Sequence, residues 1–270
     1  MQTSTPITSD RGTHASAVGA PVVGIAIHGA KGRMGMRIGA CAEGDQGVRI
    51  TARLGRGDAA AFAQQTSMPP TLAETRVIID FSLDAGCRDA VGLARKLGVG
   101  LLVGTTALSD ATLAALAEAE REIPVMVCAN TSLGVAVARH LAKEAARLLG
   151  AEYDVDIIET HHTKKLDAPS GTALALAASI REGGREIGRD HVHAIRSGDV
   201  IGDHIVQFAG VGEILRLQHT ATTRDLFARG AIRAAKWLAG RTPGRYRIED
   251  TFHASAHTSA QASASPQTGS

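Results

Sequence analysis

The feature that most constrains this chain is an apolar run, Val22 to His28, that passes without a break into Gly29-Ala30-Lys31-Gly32-Arg33-Met34-Gly35. A helix-forming stretch then reaches to about Glu43. A short continuous apolar run closed by a turn signal reads as a buried strand. Glycines in the G-x-x-G-x-x-G spacing permit a tight turn, and a helix opening directly after it aims unpaired N–H groups and a partial positive charge at whatever sits there. Strand, glycine turn and helix together describe the first unit of a parallel sheet. The continuation repeats the theme. Val48 to Leu54, Val77 to Phe81, Val99 to Val103 and Val125 to Cys128 read as further strands. Asp84 to Leu97 and Asp110 to Arg121 read as helices, the second capped by Ser109. Strands alternating with helices predict an α/β, doubly wound (Rossmann-type) sheet with its ligand at the carboxyl ends of the strands.

The character changes after Asn130. One long helical pattern, Leu133 to Leu149, precedes strand-like runs at Val155 to His161, His191 to Arg196, His204 to Ala209 and Glu213 to His219, with few helices between them. Such a series predicts a mixed or antiparallel sheet in a smaller α+β domain. Asp225 to Leu238 returns to helix, and the pattern leaves open which sheet it packs on.

Composition removes several function classes. With 44% hydrophobic and 21% charged residues and a formal charge of +2, the chain is an ordinary globular protein without a dense basic field. Nucleic acid and anionic membrane surfaces are therefore not expected partners. Cys41, Cys87 and Cys128 are widely spaced, odd in number and in no C-x-x-C pattern, so neither a disulfide framework nor a zinc site follows. No apolar stretch approaches the roughly 18 residues of a membrane span, and the first twenty residues lack the basic start and apolar stretch of a secretory signal. A cytoplasmic location fits. Residues 1–20 and the end of the chain, from about 253 to 270, are small and polar and are expected to be disordered tails.

Several strand ends bring polar groups to one edge: Asp80-Phe81-Ser82, Gly104-Thr105-Thr106 and Ala129-Asn130-Thr131. Together with the glycine turn they predict a nicotinamide dinucleotide site, and Lys31 and Arg33 beside the turn favour an anionic ligand. After the second strand comes Leu54-Gly55-Arg56-Gly57, where a fold of this kind reads the adenosine ribose. A carboxylate there would bind the ribose 2′-OH and repel a 2′-phosphate. Gly55 removes it, and Arg56 with Arg33 suits a phosphate, so NADPH is expected to be preferred over NADH. Asp58 is the carboxylate that would restore NADH use if the loop folds back.

The densest chemistry lies in Glu159-Thr160-His161-His162-Thr163-Lys164-Lys165-Leu166-Asp167-Ala168-Pro169-Ser170-Gly171-Thr172-Ala173. Adjacent histidines at a strand end point to opposite faces, which disfavours a shared metal, and no metal is expected. Ser170 ahead of Gly171 and Thr172 caps a new helix whose free N–H groups seat a carboxylate. Lys165 adds a cation and histidine a proton that exchanges near neutrality. The run is an anion clamp with an acid beside it.

This run resembles the E-x-H-H-x-x-K-x-D-A-P-S-G-T-A signature of the dihydrodipicolinate reductases. Other marks of that family stand at Gly29–Gly35, at Gly104-Thr105-Thr106, in the N-x-S-x-G-V run Asn130–Val135, at Arg196-Ser197-Gly198-Asp199, at Gly202-Asp203-His204 and at Phe227–Ala231. The resemblance covers about Val22 to Asp250. It implies hydride transfer from NAD(P)H to a cyclic imine dicarboxylate, with His161 as proton donor and Lys165 as its catalytic partner. It implies that His162, Gly171 and Thr172, joined by Ser170, hold the substrate carboxylates. Cofactor contacts are implied for Gly29, Ala30, Lys31, Gly32, Arg33, Met34 and Gly35, for Gly104, Thr105 and Thr106, and for Cys128, Ala129, Asn130 and Thr131; Arg56, Asp80 and Phe81 join them from the reading of the strand ends. A homotetramer built through the second domain is implied as well. So is the return of the C-terminal helix to the first, which divides the chain into a dinucleotide domain (21–129 and 222–252) and a substrate and tetramerisation domain (130–221). The chain departs from the family pattern at Thr131, where many relatives carry an aromatic residue, in the shorter segment Ile180–His191, and at Gly55. Competing readings are another NAD(P)-dependent dehydrogenase of a small amino or hydroxy acid, or a non-catalytic nicotinamide sensor.

Overall fold

A computed structural model describes residues 21–67 and 69–253. The disordered tails expected at residues 1–20 and 254–270 lie outside the described residues, whereas His253, expected in the second tail, ends a 3-10 turn at Ile248–His253. The chain runs β1 (Val23–His28), α1 (Arg33–Glu43), β2 (Val48–Leu54), α2 (Asp58–Gln64), α3 (Pro70–Ala73), β3 (Val77–Asp80), α4 (Asp84–Leu97), β4 (Gly100–Val103), α5 (Asp110–Ala119) and β5 (Pro124–Val127). It continues through α6 (Leu133–Leu149), β6 (Asp154–His161), α7 (Gly171–Glu182), β7 (Val192–Arg196), β8 (Asp203–Gly210), β9 (Glu213–Thr220), α8 (Asp225–Leu238) and β10 (Gly244–Tyr246).

The first sheet has six parallel strands in the order β10-β5-β4-β3-β1-β2. Its direction of winding reverses between β1 and β3, and an open α/β sheet binds ligands at the carboxyl edge of such a switch point. All four residues of β3 and of β4 are buried, as expected of central parallel strands covered on both faces. On one face Ile25, Ile27, Ile79 and Leu102 meet α1 and the apolar stripe of α8, including Ala228, Ala231, Ala235 and Leu238. The other face buries Ala26, Ile78 and Leu101 under α4 and α5. Thus α8 packs on the first sheet, a point the periodicity left open. Gly230 of α8 presses so closely on the loop after β5 that a Cβ there would stand 1.7 Å from the Thr131 carbonyl oxygen.

The second sheet is mixed, in the order β7-β6-β8-β9, with β6 parallel to β7 and antiparallel pairing elsewhere. Its alternating burial turns Val155, Ile157, Val206 and Phe208 onto α6 and α7. Ile195 and Ile214 on the opposite face remain about half exposed. Helix α6 joins the two halves, since its Ala136 belongs to the first core and its Ala142 and Ala146 to the second. Among the described residues no helix is long and apolar enough to cross a membrane.

Candidate functional site

The carboxyl edge of the parallel sheet and the start of α7 enclose a cleft of about 1200 Å³. Its sheet side is lined by Gly32, Arg33, Met34, Phe81, Gly104, Thr105, Thr106, Cys128, Ala129, Asn130 and Thr131, and its far side by His161, His162, Lys165, Ser170, Gly171 and Thr172. These residues singled out from the sequence line one space, whereas Gly29, Ala30, Lys31, Gly35, Arg56 and Asp80 do not line it.

Gly29 turns the chain at φ +78°, and a Cβ there would come within 2.3 Å of the Phe81 carbonyl oxygen. A Cβ on Gly35 would lie 2.2 Å from the Gly29 carbonyl oxygen. Ala30, with Lys31 exposed beside it, completes the turn behind the cleft wall. Gly32 caps α1 without a side-chain hydrogen bond, which leaves the first N–H groups of the helix free. Among the described residues Lys31, Arg33 and Arg56 form no ion pair. A cradle that side chains would fill, free N–H groups and unpaired cations fit a dinucleotide pyrophosphate.

Asp80 does not reach this cleft. It is fully buried, and its carboxylate accepts hydrogen bonds from Ser82 Oγ (2.6 Å) and Thr105 Oγ1 (2.7 Å) and faces His28 Nδ1 at 2.7 Å. The Ser82 N–H in turn donates to Thr105 Oγ1 at 2.8 Å. Asp80 thus ties the loops after β3 and β4 together from below. The Phe81 ring lies on Gly104, where a Cβ would stand 2.2 Å from two ring carbons. Thr131 is also turned inward, donating to the Phe227 carbonyl at 2.6 Å, so this side chain serves the packing of α8. Arg56 stands outside the cleft wall. Beside it the loop does fold back, because the Gly55 N–H donates to Asp58 Oδ2 at 2.7 Å and brings a carboxylate to the end of β2.

Asn130 links the two halves. Its side-chain oxygen accepts the Ser132 N–H at 2.9 Å, while its amide donates to Thr172 Oγ1 at 3.0 Å. The cofactor edge and the start of α7 are therefore held in one register.

On the far side, β6 delivers Glu159 and His161 to the same face by its two-residue period. Glu159 is fully buried. Its Oε2 accepts His161 Nδ1 (2.5 Å) and Arg196 Nη1 (3.0 Å), and its Oε1 accepts Arg196 Nη2 (3.0 Å) and the Ser170 N–H (3.0 Å). Burial alone would raise this carboxyl, but the Arg196 guanidinium, His161 and the Ser170 N–H outweigh it and hold its pKa below the ordinary value. A carboxylate on Nδ1 fixes the imidazole tautomer and leaves Nε2 as the atom that exchanges a proton. Gly202 keeps room for Nε2, since a Cβ there would lie 3.1 Å away. Arg196 also binds the carbonyls of Lys165 and Asp167 (3.3 and 2.6 Å), so one guanidinium holds the carboxylate that orients His161 and clamps the lysine loop.

Lys165 Nζ rests on both Asp167 oxygens at 2.8 Å. Asp167 is exposed, and a pair of that kind is worth at most about 1 kcal/mol, so Lys165 is released to a ligand at little cost. Ser170 caps α7 by accepting the Ala173 N–H at 3.1 Å, and the opening turn of that helix faces the cleft at Gly171 and Thr172. The buried Nδ1 of His162 has no protein partner among the described residues. Cations, free N–H groups and an oriented imidazole suit a small anion that must gain a proton.

Residues 23–131 match the family profile "Dihydrodipicolinate reductase, N-terminus" and residues 134–252 the profile "Dihydrodipicolinate reductase, C-terminus". The chain belongs to the dihydrodipicolinate reductase family. A 4-hydroxy-tetrahydrodipicolinate reductase of Stenotrophomonas maltophilia is 45% identical over 232 residues, covering 83% of this chain and 95% of that protein. One from Alkalilimnicola ehrlichii is 40% identical over 262 residues, covering 84% and 98%. The fold matches that of the dipicolinate-bound dihydrodipicolinate reductase from Paenisporosarcina sp. TG-14, with a TM-score of 0.69, 21% identity and coverage of 85% and 99%.

Glu159 and Arg196 stand within the family motifs, but neither carries a role expected from the sequence. Glu159 was within reach, because a carboxylate two residues before His161 on a strand shares its face. Arg196 was not, since it meets Glu159 only through the parallel register that sets His161 opposite Arg196.

Proposed function

We propose that the chain converts 4-hydroxy-tetrahydrodipicolinate, the cyclic imine dicarboxylate acted on by its named relatives, to tetrahydrodipicolinate in the diaminopimelate route to lysine in the cytoplasm, the 4-hydroxyl leaving as water and the ring gaining a hydride and a proton. The observation that carries the reading is the convergence of a dinucleotide turn, an oriented histidine and a capped helix start on one cleft. When bound, the nicotinamide supplies the hydride. The chain's own residues do the rest. Ser170, Gly171 and Thr172 hold a carboxylate at the start of α7, and His162 and Lys165 complete the clamp. Lys165 leaves Asp167 for the ligand and stabilises charge that develops on the ring, while His161 delivers a proton from Nε2.

Arg56 and Arg33 favour NADPH, and the Asp58 carboxylate held on the Gly55 N–H offers the ribose acceptor that admits NADH. The half-exposed isoleucines on the open face of the second sheet support assembly through that face as a homotetramer.

Dipicolinate, a planar mimic of the substrate, tests the clamp. It is expected to compete with substrate and to bind at least roughly tenfold more tightly than the monocarboxylate picolinate, the usual scale for one charge-assisted contact. Equal inhibition by the two compounds would defeat the two-seat arrangement.

A further inference from the structure

His204 lies outside the motif that names the site, yet it closes it from behind. It sits on β8 directly opposite Glu159 of β6 and is 6% exposed. Its ring meets the His161 ring edge to face, with centroids 5.1 Å apart at 77°. Nε2 stands 3.2 Å from Ser170 Oγ, and the buried Nδ1 has no partner among the described residues.

The proton between His204 and Ser170 has two possible places. A serine hydroxyl offers one donor and two acceptor lone pairs, and one lone pair of Ser170 already takes the Ala173 N–H. If the serine donated to Nε2, the proton of His204 would sit on Nδ1 as a buried donor without an acceptor. Orphaned buried N–H groups are rarer than under-satisfied acceptors. The Nε2–H form therefore prevails, filling the second lone pair of Ser170 and leaving its O–H proton uncommitted at the cleft.

We propose that His204 is a positioning residue that turns Ser170 into an obligate hydrogen-bond donor for a substrate carboxylate. This rests on the reading of Ser170 to Thr172 as a carboxylate seat. The neutral ring suits the place, because a positive charge there would face the partial positive end of α7 and the neighbouring His161. Burial, followed by His161, pushes the His204 pKa down to about 4, so the ring is neutral near neutral pH.

The test compares His204→Gln, whose amide reaches Ser170 Oγ as Nε2 does, with His204→Asn, whose shorter amide does not, and with Ser170→Ala. KM and the dipicolinate inhibition constant are read separately from kcat. His204→Asn is expected to raise both binding constants roughly tenfold with kcat within about threefold of native, the scale of one hydrogen bond to a charged group. His204→Gln is expected to stay within about threefold of native throughout. Should Asn and Gln behave alike, whether harmless or equally damaging, His204 acts through packing alone and the proposal falls. Ser170→Ala separates this outcome from failure of the seat, since it raises KM and the inhibition constant only if the seat itself is correctly assigned.

Discussion

Replacing Glu159 by glutamine changes one oxygen to an amide in a site where every neighbour is a donor. Seated at the Oε2 position, the new NH2 faces Arg196 Nη1 and the His161 Nδ1 proton; at the Oε1 position it faces Arg196 Nη2 and the Ser170 N–H. Neither orientation is satisfied, and the Arg196 guanidinium loses its counter-charge. Removing one member of a buried ion pair costs about 3–5 kcal/mol. Arg196 retains 20% of its side-chain exposure, so partial hydration brings the figure down to about 2–3 kcal/mol. For a chain of this size that lowers the thermal midpoint by roughly 5–10 °C. Activity falls further than stability, because an amide NH2 at Oε2 forces the His161 proton onto Nε2 in the wrong neutral tautomer. Loss of an orienting carboxylate of this kind costs roughly a hundredfold to ten-thousandfold in kcat. The assays are a thermal scan followed by circular dichroism, and kcat at neutral pH with saturating NADPH, with cofactor binding checked by fluorescence. A variant with native kcat and a lowered midpoint would reduce Glu159 to a structural role, and one native in both would refute the argument.

Three further outcomes follow from the geometry. Arg56→Ala is expected to lower kcat/KM for NADPH roughly tenfold while sparing NADH, and equal or better use of NADH by the native protein would defeat the NADPH preference. His204, whose pKa falls from the ordinary 6.5 to about 4 on folding, faces His161 and His219, which lower it, and Glu159 and Asp203, which raise it. The unfolded chain takes up more protons between those values, so the stability from the neutral ring is complete above 6.5 and is lost as pH falls through 4, by about 3 kcal/mol in all. Urea midpoints near neutrality and near pH 4.5 should show a larger acid loss in the native protein than in His204→Phe; equal losses contradict the assignment. Sedimentation is expected to find a tetramer that Ile195→Lys with Ile214→Lys dissociates, whereas an active native monomer would remove the case for assembly.

How far the sequence carried the reading depends on whether the signal was local. Leu133–Leu149 and Asp225–Leu238 agree residue for residue with their helices, since a 3.6-residue apolar period lies within the segment itself. The glycine turn was equally legible. The strand β10, three residues without an apolar pattern, exists only by pairing with β5, and the short helices α2 and α3 carry too little periodicity to be seen in the sequence. Asp80 shows a different limit. A polar residue ending a strand reads as facing the ligand, but β3 is covered on both faces, and the side chain turns down into the hydrogen bonds of Ser82 and Thr105. Likewise the links from Arg196 to Glu159 and from His204 to Ser170 join residues 37 and 34 positions apart, the first through the pairing of β6 with β7 and the second through the packing of β8 on the cap of α7.

The most direct test of the central claim is the rate at which nicotinamide absorbance is lost when the freshly formed product of dihydrodipicolinate synthase is supplied with NADPH. The native protein is expected to turn over at roughly 1–1000 per second. His161→Gln is expected to be at least about a hundredfold slower with cofactor binding intact. No absorbance loss in the native protein, or native turnover in His161→Gln, would contradict the account.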